Sequence, residues 1–174
     1  MVKPDFDELY NEIGPGVYRY LRRLTDSRVQ AEDILQETFL KLHVQLSTGA
    51  TISNARAWLF RVATNLAKDK KRSETRAFLS QEQYYAPPVI DFHLRLENQQ
   101  IIRRALWQIP PRMRQVLLLF SEGFSYKEIA EITGIEVVYV GVLLQRARAA
   151  FKQYYEEHNE RQSNRHDQKH SVRG

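Results

Sequence analysis

Apolar residues recur along this chain at steps of three and four, the spacing of one face of an α-helix. The first such run spans residues 6–24, and the Gly-Pro-Gly sequence at 14–16 predicts either two helices or one bent helix. A second run begins near Ser27, and a third follows Ser53 or Asn54, either of which can cap a helix. These runs predict a first helical domain over residues 1–75.

The helical period lapses after this domain, and the proline-containing polar stretch predicts a linker over residues 76–95. It resumes in a second domain, residues 96–155, whose segment 123–151 has the pattern of a helix-turn-helix. The uniformly polar residues 156–174 predict a disordered tail. The expected fold class is therefore all-α, with two small helical domains joined by a flexible linker.

The amino-acid composition limits which kinds of site the protein can have and in which compartment it can work. The chain has 174 residues and zero cysteines, which excludes disulfides, thiolate zinc sites and a cysteine nucleophile. No apolar run approaches the length of a membrane span, and the first residues are acidic where a signal peptide would be basic. We therefore expect a cytoplasmic protein without direct membrane insertion.

The net charge of +5 is concentrated in two segments. Residues 56–76 contain seven Lys or Arg against two Asp or Glu, and residues 103–155 contain eight against four. Two basic patches in an otherwise neutral chain favour two separate contacts with a polyanion such as DNA.

The first basic patch lies on the helix that follows Ser53 or Asn54. Opposite its buried stripe, a set of polar and aromatic residues follow one another at steps of three or four: Trp58, Arg61, Asn65, Lys68 or Asp69, and Arg72. Such a face suits unstacked bases, since rings and guanidinium groups stack, Asn bonds to base edges, and Lys70, Lys71 and Arg72 meet phosphates. The alternatives are a core position for Trp58 and a merely solvated basic face.

The helix-turn-helix carries the second patch. Ala130 permits close helix packing, Gly134 supplies the turn and Val140 packs the second helix back on the first. Its exposed positions include Val137, Tyr139 and Leu143, which suit thymine methyl groups. Arg146 and Arg148, one turn further on, suit phosphates. An αα-hairpin without a DNA role is the alternative.

Asp33 and Glu37 lie one helical turn apart, so they are a candidate metal site or acid/base pair. A face that docks on a basic partner protein and a solvated face are the competing interpretations. Neither a glycine-rich phosphate loop nor a nucleophile elbow occurs in the chain. We therefore expect no cofactor, no metal, no catalytic residue and no small-molecule substrate.

Several segments together resemble, in order and spacing, the bacterial extracytoplasmic-function (ECF) sigma factors. They are AEDILQETFLKLH, ARAWLFRVATNLAKDKKR, a polar linker, ALWQIPPRMRQVLLLFSEGFSYKEIAEITGI and RARAAF. The resemblance implies a non-enzymatic specificity subunit with two helical domains, called regions 2 and 4. It also implies three partners: core RNA polymerase, promoter DNA and an anti-sigma factor.

The resemblance also implies roles for individual residues. Those that would meet the polymerase clamp are Asp33, Gln36, Glu37, Phe39 and Lys41. The resemblance places Arg61, Asn65 and Asp69 at the melted −10 element, with the loop 48–53 as the pocket for a flipped-out base. The face identified from spacing adds Trp58, Lys68, Lys71 and Arg72 to this −10 contact. For the −35 element we expect contacts from Tyr126, Lys127, Tyr139, Leu143, Arg146 and Arg148.

The chain departs from the family pattern in the second helix of the helix-turn-helix. Gly141 and Leu143 stand where relatives commonly carry the Lys and Arg that contact the −35 element. Three alternatives to a complete sigma factor follow. They are a split or partner-dependent sigma-like interaction protein with weak −35 reading, a regulator that binds duplex DNA alone, and a metal-dependent nucleic-acid enzyme.

Overall fold

The computed structural model of the protein describes the backbone of residues 5–25, 27–80 and 95–171, and the side chains of 5–25, 27–73 and 99–158. Within these residues all regular structure is helical, which confirms the all-α class. The helices are α1 (Phe6–Leu24), α2 (Arg28–Ser47), α3 (Ala55–Ser80), α4 (Arg95–Gln108), α5 (Pro111–Ser121), α6 (Tyr126–Thr133) and α7 (Val137–Ser171).

The first three helices form one domain around a common apolar face. Although proline in a helix interior removes a hydrogen bond, α1 continues through Pro15 as a single helix. Its buried residues recur at helical spacing: Leu9, Ile13, Val17, Tyr20 and Leu21. The side chain of Ser27 caps α2 by accepting from the Gln30 amide at 3.0 Å. Asn54 caps α3 in the same way, its Oδ1 accepting from the Ala57 amide at 2.9 Å.

The helix-turn-helix of the second domain has the predicted local geometry. Ser125 and Glu128 form a capping box at the start of α6, in which each side chain bonds to the other residue's backbone amide. Gly134 ends α6 with a φ of 72°, the left-handed conformation that glycine adopts most easily. Val140 is fully buried, so α7 packs back against α6 as expected.

Two boundaries differ from the sequence expectation. The backbone of α7 is helical through Ser171, although the polar residues 156–174 predict a disordered tail. Residues 156–171 lack Pro and Gly, and adding residues to an existing helix is easier than nucleating one, so the packed part of α7 can propagate outward. At the predicted linker, α3 extends to Ser80; residues 81–94 lie outside the described part of the chain.

The two domains pack against each other, which the sequence pattern does not indicate. The rings of Phe60 in α3 and Phe124 before α6 lie 4.8 Å apart, and the Arg56 guanidinium lies 4.1 Å from the Phe124 ring. Arg19 of α1 donates two hydrogen bonds to the Glu122 carboxylate, at 3.0 and 2.8 Å. One continuous apolar core therefore spans both domains.

Candidate nucleic-acid interface

The exposed face of α3 carries the side chains predicted to contact melted DNA. Arg61, Asn65, Asp69 and Arg72 are all exposed along this face. They follow one another at steps of four, four and three, so they form one stripe along the helix. The structure therefore brings a guanidinium, an amide, a carboxylate and a second guanidinium to one surface.

Trp58 begins this stripe but is half-buried, packed against the apolar core as its alternative interpretation allows. It also lines a pocket of about 290 Å³ beside Arg61 and the loop residues 51–54. In this packed, or closed, arrangement of the two domains, Glu131 and Ile132 of α6 line the same pocket. The second domain thus lies beside the loop that the resemblance assigns to a flipped-out base, while Thr51 and Ser53 of that loop stay exposed.

Lys68 and Lys71 face the second domain rather than the stripe. Lys68 Nζ donates to the Thr133 carbonyl oxygen at 3.4 Å, and Lys71 Nζ lies 6.0 Å from the centre of the Trp107 ring. Both lysines line a pocket of about 240 Å³ that also contains Arg112. Burial, followed by repulsion from Arg112 and Arg72, lowers the pKa of Lys68. Both lysines remain exposed, so the contacts with the second domain restrict their ammonium groups without burying them.

The outer face of α2 combines acidic and apolar side chains. Asp33, Glu37, Leu40 and Val44 recur at steps of four, three and four, and Leu40 and Val44 are 63% and 54% exposed. Two salt bridges hold the acids only loosely: Asp33 lies 3.5 Å from Lys70, and Glu37 lies 3.7 Å from Lys41. The sequence analysis missed Leu40 and Val44, although their spacing from Asp33 could have identified them.

Two further residues assigned to the polymerase contact have different positions. Gln36 is exposed beside the acidic stripe. Phe39, in contrast, is 3% exposed and packs against the rings of Phe6 and Tyr10 at centroid distances of 6.1 and 4.7 Å. Phe39 is therefore a core residue and makes no direct surface contact, because its position on α2 faces α1.

In the part of the chain that the structure describes, no three His, Asp or Glu side chains come together as metal ligands. Asp33 and Glu37 instead pair with lysines, Lys70 and Lys41. No described helix combines the length and apolarity that crossing a membrane would require.

The outer surface of α7 is mostly apolar in its first two turns. Val138, Tyr139 and Val142 are 70%, 57% and 45% exposed, whereas Leu143 is half-buried against the core. Arg146 is exposed and, with Arg112 of α5, lines a groove beside Tyr139. This surface therefore has exposed apolar groups in the middle and a cation at its edge.

The other predicted −35 residues lie on the opposite side of α7. Tyr126 is 44% exposed, and its ring lies beside Gly141, where an added Cβ would be 3.4 Å from the ring. Lys127 is exposed in the first turn of α6. The exposed Arg148 guanidinium lies 4.6 Å from the centre of the Phe120 ring. The structure thus distributes the predicted −35 residues over α6 and two sides of α7.

Comparison with known proteins assigns both domains. A family model for sigma-70 region 2 matches residues 9–77, and one for sigma-70 region 4 matches residues 99–151. The ECF RNA polymerase sigma factor SigE of Mycolicibacterium smegmatis is 32% identical over 90% of this chain and 63% of its own length. EcfG of Rhodopseudomonas palustris is 30% identical over 78% of this chain and 76% of its own.

The chain belongs to the ECF sigma factors. Sigma factors of this family are transcription regulators that act at initiation, and this chain is an alternative sigma factor with regions 2 and 4. A solved structure of the sigma factor RpoE in complex with the anti-sigma factor NepR, from Bartonella quintana, has the same fold. Its TM-score is 0.78 at 23% identity, over 89% of this chain and 98% of that chain.

Proposed function

We propose that this sigma factor binds core RNA polymerase through the exposed stripe of α2, reads the melted −10 element with α3, and reads the −35 element with α7. The observation that carries the proposal is the exposed stripe on α3 that contains Arg61, Asn65 and Arg72 and adjoins a pocket at the loop 51–54. Stacking planes, an amide and cations on one surface are what unstacked bases require. The protein acts as a cytoplasmic binding subunit and not as an enzyme.

The α2 stripe suits a protein partner better than a nucleic acid. Asp33 and Glu37 would repel phosphates, while the exposed Leu40 and Val44 offer apolar area. A helical surface of the polymerase with basic and apolar side chains would complement both features. We therefore assign Asp33, Gln36, Glu37 and Lys41 to polymerase binding.

Promoter binding requires the closed arrangement to open. By their names the −10 and −35 elements are centred about 25 base pairs apart, which is roughly 85 Å of duplex at about 3.4 Å each. In the closed form α6 contacts α3 directly, with Lys68 Nζ 3.4 Å from the Thr133 carbonyl oxygen. Regions 2 and 4 therefore reach both elements only after they separate. An anti-sigma factor that stabilises the closed form would prevent this step.

Two sets of substitutions test the division of labour between α3 and α2. Arg61→Ala with Asn65→Ala should impair promoter opening while leaving affinity for core polymerase unchanged. Asp33→Ala with Glu37→Ala should weaken polymerase binding by about tenfold. An exposed ion pair contributes up to about 1 kcal/mol of binding free energy, and the double substitution removes two such charges. Binding is measured by titrating labelled sigma with core polymerase, and opening by permanganate footprinting of thymines at −10.

Matched controls come from exposed residues outside both surfaces. Arg28→Ala with Asn11→Ala replaces the same residue types as the first set, at positions on α2 and α1. Glu156→Ala with Glu157→Ala likewise removes two acidic side chains, as the second set does, but on α7. The controls should leave both measurements near wild type. Equal losses in both assays from both test sets would contradict the proposed division.

The exposed apolar surface of α7 favours one second candidate, a partner-dependent sigma whose region 4 binds another protein. Val138 at 70% exposure is the strongest single observation for it. Run-off transcription of genomic fragments by core polymerase distinguishes the two. Discrete transcripts from the sigma factor and core alone support the complete sigma factor. Binding to core without transcripts supports the second candidate.

A further inference from the structure

The outward face of α7 carries three side chains that the sequence analysis did not assign. Val138, Val142 and Gln145 are exposed and lie at steps of four and three. They are on the side opposite Val140 and Leu144, which are 0% and 1% exposed. α7 is the second helix of the helix-turn-helix, the one whose first turns enter the major groove in this class of motif. In that docking geometry these three residues would face the base edges.

We propose that Val138, Val142 and Gln145 select A·T base pairs in the −35 element, a reading that rests on the proposed role of region 4. The thymine C5-methyl is the apolar group that the major groove presents, and the two valines match it. Glutamine bonds to N6 and N7 of adenine with both ends of its amide. Neither contact needs a charge, so an apolar recognition helix can still read sequence.

The cations around the stripe have the placement that a major groove requires. Arg146 lies on one side of α7, where it lines a groove with Tyr139 and Arg112. Arg148 lies on the other side, beside Phe120. The two phosphate backbones flank the major groove, so one cation on each side would hold both strands. Phosphate contacts contribute affinity without sequence information, which leaves selection to the uncharged stripe.

The test uses holoenzyme formed from the full chain and core polymerase, on a promoter recovered by genomic run-off transcription. The −35 segment is randomised and the transcribed templates are sequenced. In the selected element each thymine is then replaced by deoxyuridine, which lacks only the methyl group, and each adenine by 7-deazaadenine, which lacks only N7. Affinity is measured for each duplex.

We expect A·T pairs in the selected element and a threefold to fourfold loss of affinity for each contacted methyl removed. Val142→Ala and Val138→Ala should each lose the discrimination between thymine and deoxyuridine at the position that the truncated valine contacts, and Gln145→Ala should bind adenine and 7-deazaadenine duplexes equally. Val29→Ala, which truncates a valine 66% exposed on α2, should discriminate like wild type.

Three results overturn the inference in distinguishable ways. A selected −35 element made of G·C pairs, or one insensitive to both analogues, refutes A·T reading by this stripe while leaving the sigma function intact. Transcription that is unaffected by randomising the −35 segment refutes −35 recognition by region 4 itself. Discrimination that survives in Val142→Ala, Val138→Ala and Gln145→Ala assigns the reading to other residues.

Discussion

The ion pair between Arg19 and Glu122 should hold regions 2 and 4 together. Glu122 is the more buried partner, with a side chain 6% exposed against 53% for Arg19. Its carboxylate accepts two hydrogen bonds from the guanidinium, which raise the pKa of Arg19. A hydrogen bond to a charged group contributes about 1.5–3 kcal/mol, but solvent screens the half-exposed Arg19, so we take about 1 kcal/mol for the pair.

Glu122→Gln keeps the size of the side chain and removes its charge. A loss of about 1 kcal/mol raises the population of the open form about fivefold. Because the chain has zero cysteines, fluorophores can be attached at introduced cysteines without removing native ones. Glu12→Cys in α1 and Lys152→Cys in α7 place one label in each domain, and both positions are exposed.

Energy transfer between the labels is followed across a urea series. In Glu122→Gln the domains should separate at a lower urea concentration than in wild type, and adding Arg19→Ala should change this midpoint little further, since the partner is already lost. Glu32→Gln is the matched control, because Glu32 pairs with Arg28 at 2.7 Å within α2. If Glu122→Gln and Glu32→Gln share the wild-type midpoint, the pair does not hold the domains closed.

Two further predictions concern stability. Ser125→Ala removes the capping box of α6 and should lower the free energy of unfolding by about 1 kcal/mol in urea titration, whereas Ser47→Ala at the end of α2 should change it by less than about 0.5 kcal/mol. Burial raises the pKa of Tyr20 to about 12, so its neutral form stabilises the fold below its ordinary pKa near 10, and this contribution is lost as pH rises through 12. Tyr20→Phe breaks the 2.9 Å hydrogen bond to Thr64 and should be about 1 kcal/mol less stable at neutral pH. It should also lose less stability than wild type between pH 10 and 12; equal losses would exclude Tyr20 as the titrating group.

Local features of the chain followed directly from the sequence. The caps at Ser27 and Asn54, the turn at Gly134 and the inward position of Val140 depend on neighbouring residues only, so spacing and residue type predict them. The exposed stripe of α3 follows from the same periodicity. Membership of the ECF sigma factors rested on several such local segments in one order.

The role of Phe39 was decided by packing and not by the resemblance. The resemblance assigned Phe39 to a polymerase contact, yet its place on the apolar face of α2 and the packing of α2 on α1 put it in the core. For α7, spacing predicts the inward position of Val140, and helix geometry then places Val138 and Val142 on the opposite side. The tertiary structure adds that this side is exposed, at 70% for Val138 and 45% for Val142.

The closure of the two domains depended entirely on tertiary structure. Arg19 and Glu122 are 103 residues apart, and Phe60 and Phe124 belong to different domains, so no periodicity links them. The spacing of apolar residues in each helix determines which of its faces is buried. Which faces meet across the chain depends on shape and charge complementarity in three dimensions, and that complementarity places α6 over the pocket of α3.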